Sequence, residues 1–425
     1  MTDKTNLPIE KHILETAAKR VAERCDALAK YSEHPQQITR TFGSPAMKQA
    51  HDELRSWMES TGLQCRLDAV GNLIGRLNRS SDQTFLIGSH LDTVVNAGRF
   101  DGVLGVLLGL AVAEVALATD TKLPFNLDVV GFSEEEGVRF SFPFIGSLGI
   151  VGDLEQSDLD RVDADSVTMR EALVEFGCDV NGLSSAQYDR GELVGFMEAH
   201  IEQADLLQED SAPVGVVSAI AGQTRASIVF VGVAGHSGTV LHDRRKDALT
   251  AAAELILEIE KIGQTTDGLF ATVGRIKTEP GLSNVISGRT TLSLDLRHEK
   301  DEVRDLAFEK ILLAIKTISK QRSVVGELED IQHNPAVPMD GQLINCLAEA
   351  IGEVSGATHT KPPMVSGAGH DAMIMARATG SCMLFVRCRD GISHHPAEFV
   401  SAADIEVALE VMVRAVFNLA DSVQT

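Results

Sequence analysis

Apolar positions recur along this chain in two rhythms. Residues 8–62 carry them at helical spacing, with turn signals at 31–35 and 42–45. From about residue 66, strand-like and helix-like runs alternate. LDAVGNLIGRL (67–77) reads as a strand or hairpin, and TFLIGSH (84–90) as an apolar strand with polar residues at its end. GVLGVLLGLAVAEVAL (102–117) reads as a helix, and LDVVGFS (127–133) as another buried strand. Runs such as LIG and VVGF are apolar on both faces and suit a sheet covered on both sides. The pattern predicts an α/β fold with helices on both sides of a sheet.

The rhythm changes near residue 218. SIVFVGV (227–233) reads as a strand and 244–262 as a strong helix. In TTLSLDLRH (290–298), Leu292, Leu294 and Leu296 alternate with Thr291, Ser293 and Asp295, which predicts a strand with one wet face. Residues 303–320 form another amphipathic helix, and after 334–340 the earlier alternation resumes. The expected organisation is a larger domain of residues 1–217 and 335–425, interrupted by a smaller inserted α+β domain at 218–334.

Composition narrows the partners. With 38 Lys+Arg against 61 Asp+Glu, the formal charge is −23. That argues against nucleic acid and anionic membranes, which want basic faces. The most apolar stretch contains glycine and Glu114, so a buried helix is expected there and not a membrane span. The N-terminus shows no apolar run behind a basic start. Six scattered cysteines without a CxxC pair fit a reducing cytoplasm and offer no thiolate zinc site. No glycine-rich nucleotide loop is present.

The polar groups gather at the ends of the expected strands, where open α/β sheets bind ligands. His90 and Asp92 close one strand, and period two puts them on one face. Asp101, on a glycine-flanked turn before the apolar helix, is either a helix cap or a carboxylate able to bridge two ions. Glu134, Glu135 and Glu136 follow a second strand. They suit a helix N-terminus or a cation, with one ligating and another moving a proton. His200 and Glu202 repeat the strand-end pattern, and His394-His395 follow a fifth apolar run. Histidine and carboxylate without cysteine point to Zn, Mn or Co. In the inserted segment, His236 lies on a glycine-flanked turn, and Arg297 is a natural bidentate partner for a carboxylate or one half of a surface ion pair. The loop Ser366-Gly367-Ala368-Gly369-His370 offers backbone N–H groups to an anion.

Taken in order, GSHLDTV, FDGVLGV, SEEEGVRF, HIEQ, GQTR, GHSGTV, SGAGHDAM and FVRCRDGISHHPAE resemble the M20-type amidohydrolases. Within them the match is to the branch of allantoate amidohydrolases, N-carbamoyl-L-amino-acid hydrolases and β-ureidopropionases, over about residues 35–400. The resemblance implies a dinuclear-metal catalytic domain interrupted by a dimerisation or lid domain, and two divalent ions per subunit. It implies His90, Asp101, Glu136, His200 and His394 as ligands. Asp101 would bridge, with His90 and His200 on one ion and Glu136 and His394 on the other. Glu135 would be the general base and Asp92 the partner orienting His90. His236 would stabilise an oxyanion across a homodimer, while Asn284, Arg297 and the backbone at Gly367 take a substrate carboxylate. Gln203, Gln223, Ser366 and His370 complete the expected substrate surroundings.

Histidine at position 200 marks the ureido-cleaving branch, since related peptidases have an acidic residue there. The runs EEGVRF, AGQTR and SGAGHDAM look most like allantoate amidohydrolases. Ala204, Ser237, Leu241, His242 and Asp390 depart from the usual motifs and bear on the substrate pocket. The rival readings are a dipeptidase or acyl-amino-acid hydrolase, and a silent relative that only binds a small acid.

Overall fold

The computed structural model describes residues 9–356 and 363–423. It divides into two compact units. One comprises the chain up to Ser218, Met339–Met364 and the chain from His370 onward. The other comprises Ala219–Pro338 and Val365–Gly369. The short piece Val365–Gly369, expected with the first domain, is tied to the second by Ala221 N–H donating to the Ser366 carbonyl at 2.8 Å.

The larger unit is built on a mixed sheet. Its parallel centre has Thr84–His90 between Asn126–Phe132 and Leu193–Ile201, with Ser381–Val386 parallel to the latter. Gln64–Leu67 and Leu73–Leu77 form the expected hairpin, and Leu73–Leu77 joins Asn126–Phe132 antiparallel. Every residue of Thr84–His90, Asn126–Phe132 and Ser381–Val386 is buried, so both faces of these strands are covered. Helices lie on both sides of this sheet, as the two-sided apolar runs predict.

Val103–Ala118 is the apolar helix. It is buried almost all round and packs against Lys11–Leu28, Ala402–Val423 and the central strands. Its one acid, Glu114, is answered by Arg20 at 2.7 Å and Arg24 at 2.8 Å. Among the described residues no helix is long and apolar enough to cross a membrane. Pro45–Thr61 starts where Ser44 accepts the Met47 N–H and proline takes the first turn, a favourable helix entry.

The smaller unit is an antiparallel sheet in the order Ile276–Glu279, Arg289–His298, Gly222–Val231, Val325–Asn334, with Phe270–Thr272 on Arg289–His298. Helices Ala248–Thr265 and Asp301–Arg322 pack on it through Leu255, Ile259, Ile311 and Ile315. Leu292, Leu294 and Leu296 are buried, as their alternation predicts. The helix expected at 244–262 begins at Ala248, because Asp247 accepts the N–H groups of Leu249 and Thr250 and caps it. Val325–Asn334 was not expected as a strand. It is an edge strand, mostly exposed, and so carries little apolar signal.

Candidate active site

Four parallel strands end at one edge of the larger unit, and their carboxyl ends supply the site. His90 is the last residue of its strand, Glu135 and Glu136 follow Phe132, His200 is next to last in Leu193–Ile201, and His394 lies beyond Val386. Asp101 comes from the turn before the apolar helix. That turn needs Gly102: its φ is +66°, and a Cβ there would lie 2.4 Å from the His90 ring.

Asp101 is the centre of the arrangement. Its Oδ1 lies 3.1 Å from His200 Nε2 and 3.7 Å from His90 Nε2. Its Oδ2 lies 3.1 Å from His394 Nε2, which is 3.4 Å from Glu136 Oε1. Three ligand-like triads share these atoms: His90, Asp101, His200; His90, Glu135, Glu136; and Asp101, Glu136, His394.

Tautomers show what the donors want. His90 Nδ1 lies 3.0 Å from the Asp92 carbonyl and His200 Nδ1 2.9 Å from the Ile201 carbonyl. A carbonyl only accepts, so each neutral ring carries its proton on Nδ1 and turns its Nε2 lone pair inward. The two Nε2 atoms are 3.5 Å apart and face Asp101 Oδ1, which is buried without a hydrogen-bond partner among the described residues. Lone pairs converging on a carboxylate oxygen are repulsive until a cation joins them. The donor set therefore fits divalent ions.

The surrounding charge says the same. Asp92, Asp101, Glu134, Glu135, Glu198, Asp371 and Glu398 are all buried. Burial pushes Glu135 well above the usual carboxylate range; His90 opposes this, while Glu136, Asp371 and Asp92 add to it. Burial pushes Glu136 up to about 7, with His90 opposing and Asp101 and Asp92 adding. Around His90 and His200, burial alone would lower the imidazole value, but Asp92 and Asp101 outweigh it and hold both rings above it. In a cation's absence such a cluster balances its charge with protons, which a divalent ion displaces.

Neighbouring residues of the same type are separated by geometry. Glu134 turns away, its Oε1 accepting the Arg139 N–H at 3.2 Å. His395 Nδ1 accepts the Ala397 N–H, and the Glu202 carboxylate accepts the Leu207 N–H. His394 has φ +55° and Gln203 φ +59°, left-handed backbone at two residues of the site. Gln203 Nε2 lies 3.1 Å from Ser393 Oγ and 3.4 Å from His394 Nε2.

Asp92 meets His90 through both its carbonyl and its carboxylate, whose Oδ1 lies 3.5 Å from His90 Nδ1. The carboxylate also accepts the N–H groups of Glu135 at 3.0 Å and Glu136 at 3.1 Å. It thus fixes the turn that presents both glutamates. Sequence reasoning also missed Arg40, a buried guanidinium donating to the Leu91 carbonyl at 2.7 Å, between His90 and Asp92. It missed Glu198, which accepts from Ser89 Oγ and the Ala372 N–H, both at 2.8 Å. His370 is a buried ring set edge-on against His200, with centroids 4.5 Å apart.

In the smaller unit, Arg297 donates through Nε and Nη2 to Asp295 at 2.9 and 3.0 Å, and through Nη1 to the Gly367 carbonyl at 2.5 Å. Gln223 and Arg225 also donate to Asp295 Oδ2. Arg225, Asp295, Arg297 and Gly367 line a cleft of about 870 Å³ with Phe270 and Arg275. Ser366 Oγ bonds within its own turn, to the Ala368 carbonyl. His236 and Asn284 are exposed on adjoining segments, where Ser237 N–H donates to the Asn284 carbonyl at 3.0 Å.

A histidine–carboxylate centre at the carboxyl edge of a parallel sheet, with a buried glutamate beside it, defines a metal-dependent hydrolase. The chain belongs to peptidase family M20/M25/M40, whose pattern matches residues 86–418, and it is an amidohydrolase. An allantoate deiminase of Arabidopsis thaliana is 37% identical over 94% of this chain and 82% of its own length. An N-carbamoyl-L-amino-acid amidohydrolase of Pseudomonas sp. (strain NS671) is 39% identical over 85% of this chain and 88% of its own. The crystal structure of an amidase of the hydantoinase/carbamoylase family from Burkholderia multivorans matches with a TM-score of 0.88 at 30% identity, covering 95% of this chain and 98% of that one.

Proposed function

We propose that the chain hydrolyses a ureido C–N bond of a small carboxylate, and that its substrate is allantoate. One arm plus water would give ureidoglycine, ammonia and carbon dioxide. The observation that carries this is the two-sided Asp101 cluster with Glu135 beside it, in a chain similar to an allantoate deiminase over most of its length. A urea-type carbonyl is a poor electrophile because both nitrogens donate into it. Its hydrolysis needs positive charge on the carbonyl, an activated water and a stabilised oxyanion.

We assign His90 and His200 to one divalent ion and Glu136 and His394 to a second, with Asp101 between them; Mn or Zn fits these donors, and Co is acceptable. When bound, such ions acidify water and polarise a carbonyl. Glu135 takes the water's proton and passes it to the leaving nitrogen. Its buried carboxyl, held well above the usual carboxylate range by desolvation, suits both transfers. Asp92 keeps Glu135 and Glu136 in place through their backbone N–H groups.

Arg297 and Asn284 are our choice for the substrate carboxylate. Since Arg297 is already paired with Asp295, an incoming carboxylate shares or displaces that partner. His236 is assigned to the oxyanion, in a homodimer, from the partner subunit. Its Nδ1 accepts the Gly238 N–H at 3.1 Å, so a neutral ring carries its proton on Nε2 as a ready donor.

The second reading is an N-carbamoyl-L-amino-acid hydrolase, favoured by the 39% identical relative. The two are separated by kcat/KM for ammonia release from allantoate and from N-carbamoyl-L-amino acids. Allantoate is expected to lead clearly. Turnover of the carbamoyl compounds alone would move the assignment to that reading.

A further inference from the structure

We propose that Glu398 is a positioning residue that locks the Asp101 turn to the His394 loop and thereby sets the grip on the second ion. The proposal rests on the metal reading above. Glu398 is 3% exposed and stands four residues after His394. Its Oε1 accepts the N–H of Phe100 at 2.7 Å and of Asp101 at 3.1 Å. Its Oε2 lies 3.3 Å from Ser393 Oγ, which is also 3.4 Å from Asp101 Oδ2 and accepts from Gln203 Nε2 at 3.1 Å. One carboxylate thus ties the backbone of the central acid to the residue just before His394.

The space for this is made by glycine. A Cβ on Gly98 would lie 2.2 Å from the Glu398 carboxyl, so the carboxylate sits directly over that backbone. The turn needs an outside anchor. Asp101 must aim Oδ1 at His90 and His200 and Oδ2 at His394, while Gly102 behind it has φ +66° and no side-chain cap. Ligand orientation of this kind is worth roughly 10–100-fold in metal affinity.

The test is Mn²⁺ binding to metal-stripped protein by equilibrium dialysis, with kcat and KM measured in parallel, for wild type, Glu398→Ala, Glu398→Gln and Gly98→Ala. The glutamine keeps an oxygen for the two N–H groups, and its amide can donate to Ser393. The expected result is two ions on wild type and on Glu398→Gln. In Glu398→Ala and Gly98→Ala the weaker ion should lose about 10–100-fold in affinity, with kcat falling and KM nearly unchanged. Full Mn²⁺ binding by Glu398→Ala, or a loss in Glu398→Gln equal to that in alanine, would overturn the proposal while leaving the metal reading standing. Should Glu398→Ala not fold, Gly98→Ala and Glu398→Gln decide in the same way. A wild type that binds no Mn²⁺ would overturn both.

Discussion

Replacing His51 by leucine should remove much of the protein's sensitivity to mild acid. His51 is buried on the helix Pro45–Thr61, edge-on to Phe176 at 5.1 Å, and neither ring nitrogen has a hydrogen-bond partner among the described residues. Burial pushes its pKa from 6.5 down to about 3, with the charges of Arg40 and Arg55 adding to the effect. Because the folded value lies below the unfolded one, the unfolded chain binds the extra proton between them. Stability is therefore full above pH 6.5 and is lost as pH falls toward about 3. The whole shift, 6.5 − 3 = 3.5, corresponds to about 5 kcal/mol. Between pH 8 and pH 5, about 2 kcal/mol of this is lost. Urea unfolding at the two pH values can be followed through Trp57, the only tryptophan, which lies on the same helix. The wild-type difference between pH 8 and pH 5 should exceed that of His51→Leu by about 2 kcal/mol. Equal differences would refute the reasoning and place a charged or solvated imidazole at this position.

Three further outcomes follow from the site. Glu135→Gln should keep the fold and Mn²⁺ binding but lose on the order of 10²–10⁴ in kcat, and wild-type turnover would remove Glu135 from the chemistry. Gly102→Ala puts a methyl into the His90 ring and a side chain at φ +66°. Thermal unfolding should show a cost of about 1–3 kcal/mol, and dialysis a weakened Mn²⁺ site; an unchanged protein would contradict the packing described. Mixing Glu135→Gln with His236→Ala, each inactive alone, should restore turnover if His236 works across a dimer, because one mixed site then has both groups. No recovery after verified subunit exchange would confine His236 to its own subunit.

Much of the fold was legible because it rests on local patterns. Thr84–His90 and Asn126–Phe132 read as buried strands from unbroken apolar runs, and Val103–Ala118 as a buried helix from its all-round apolar surface. The clustered side chains were legible as candidates because His90, His200, Glu135 and Glu136 stand at or just past strand ends, and Asp101 and His394 lie in short glycine-bearing motifs. What escaped was whatever depends on distant pairing. Arg40 acts on Leu91, Ser89 on Glu198 and Glu398 on Asp101, partners separated by 51 to 297 positions. A lone arginine after a turn carries no local sign that it will be buried. Asp295 escaped for a different reason: on an alternating strand it looks like an ordinary wet-face residue, yet it pairs with both Arg297 and Arg225. The second task of Asp92 was not legible: besides lying against His90, its carboxylate accepts the N–H groups of Glu135 and Glu136, 43 and 44 positions away.

In the proposed function, a divalent-metal centre around Asp101 drives hydrolysis of a ureido bond. The most direct test of this claim is ammonia release from allantoate by protein stripped of metal and then reloaded with Mn²⁺. Turnover that vanishes on stripping and returns on reloading, in wild type and not in Asp101→Asn, is the result expected. Undiminished ammonia release from fully stripped protein, or none from the reloaded protein on allantoate and N-carbamoyl-L-amino acids alike, would contradict it.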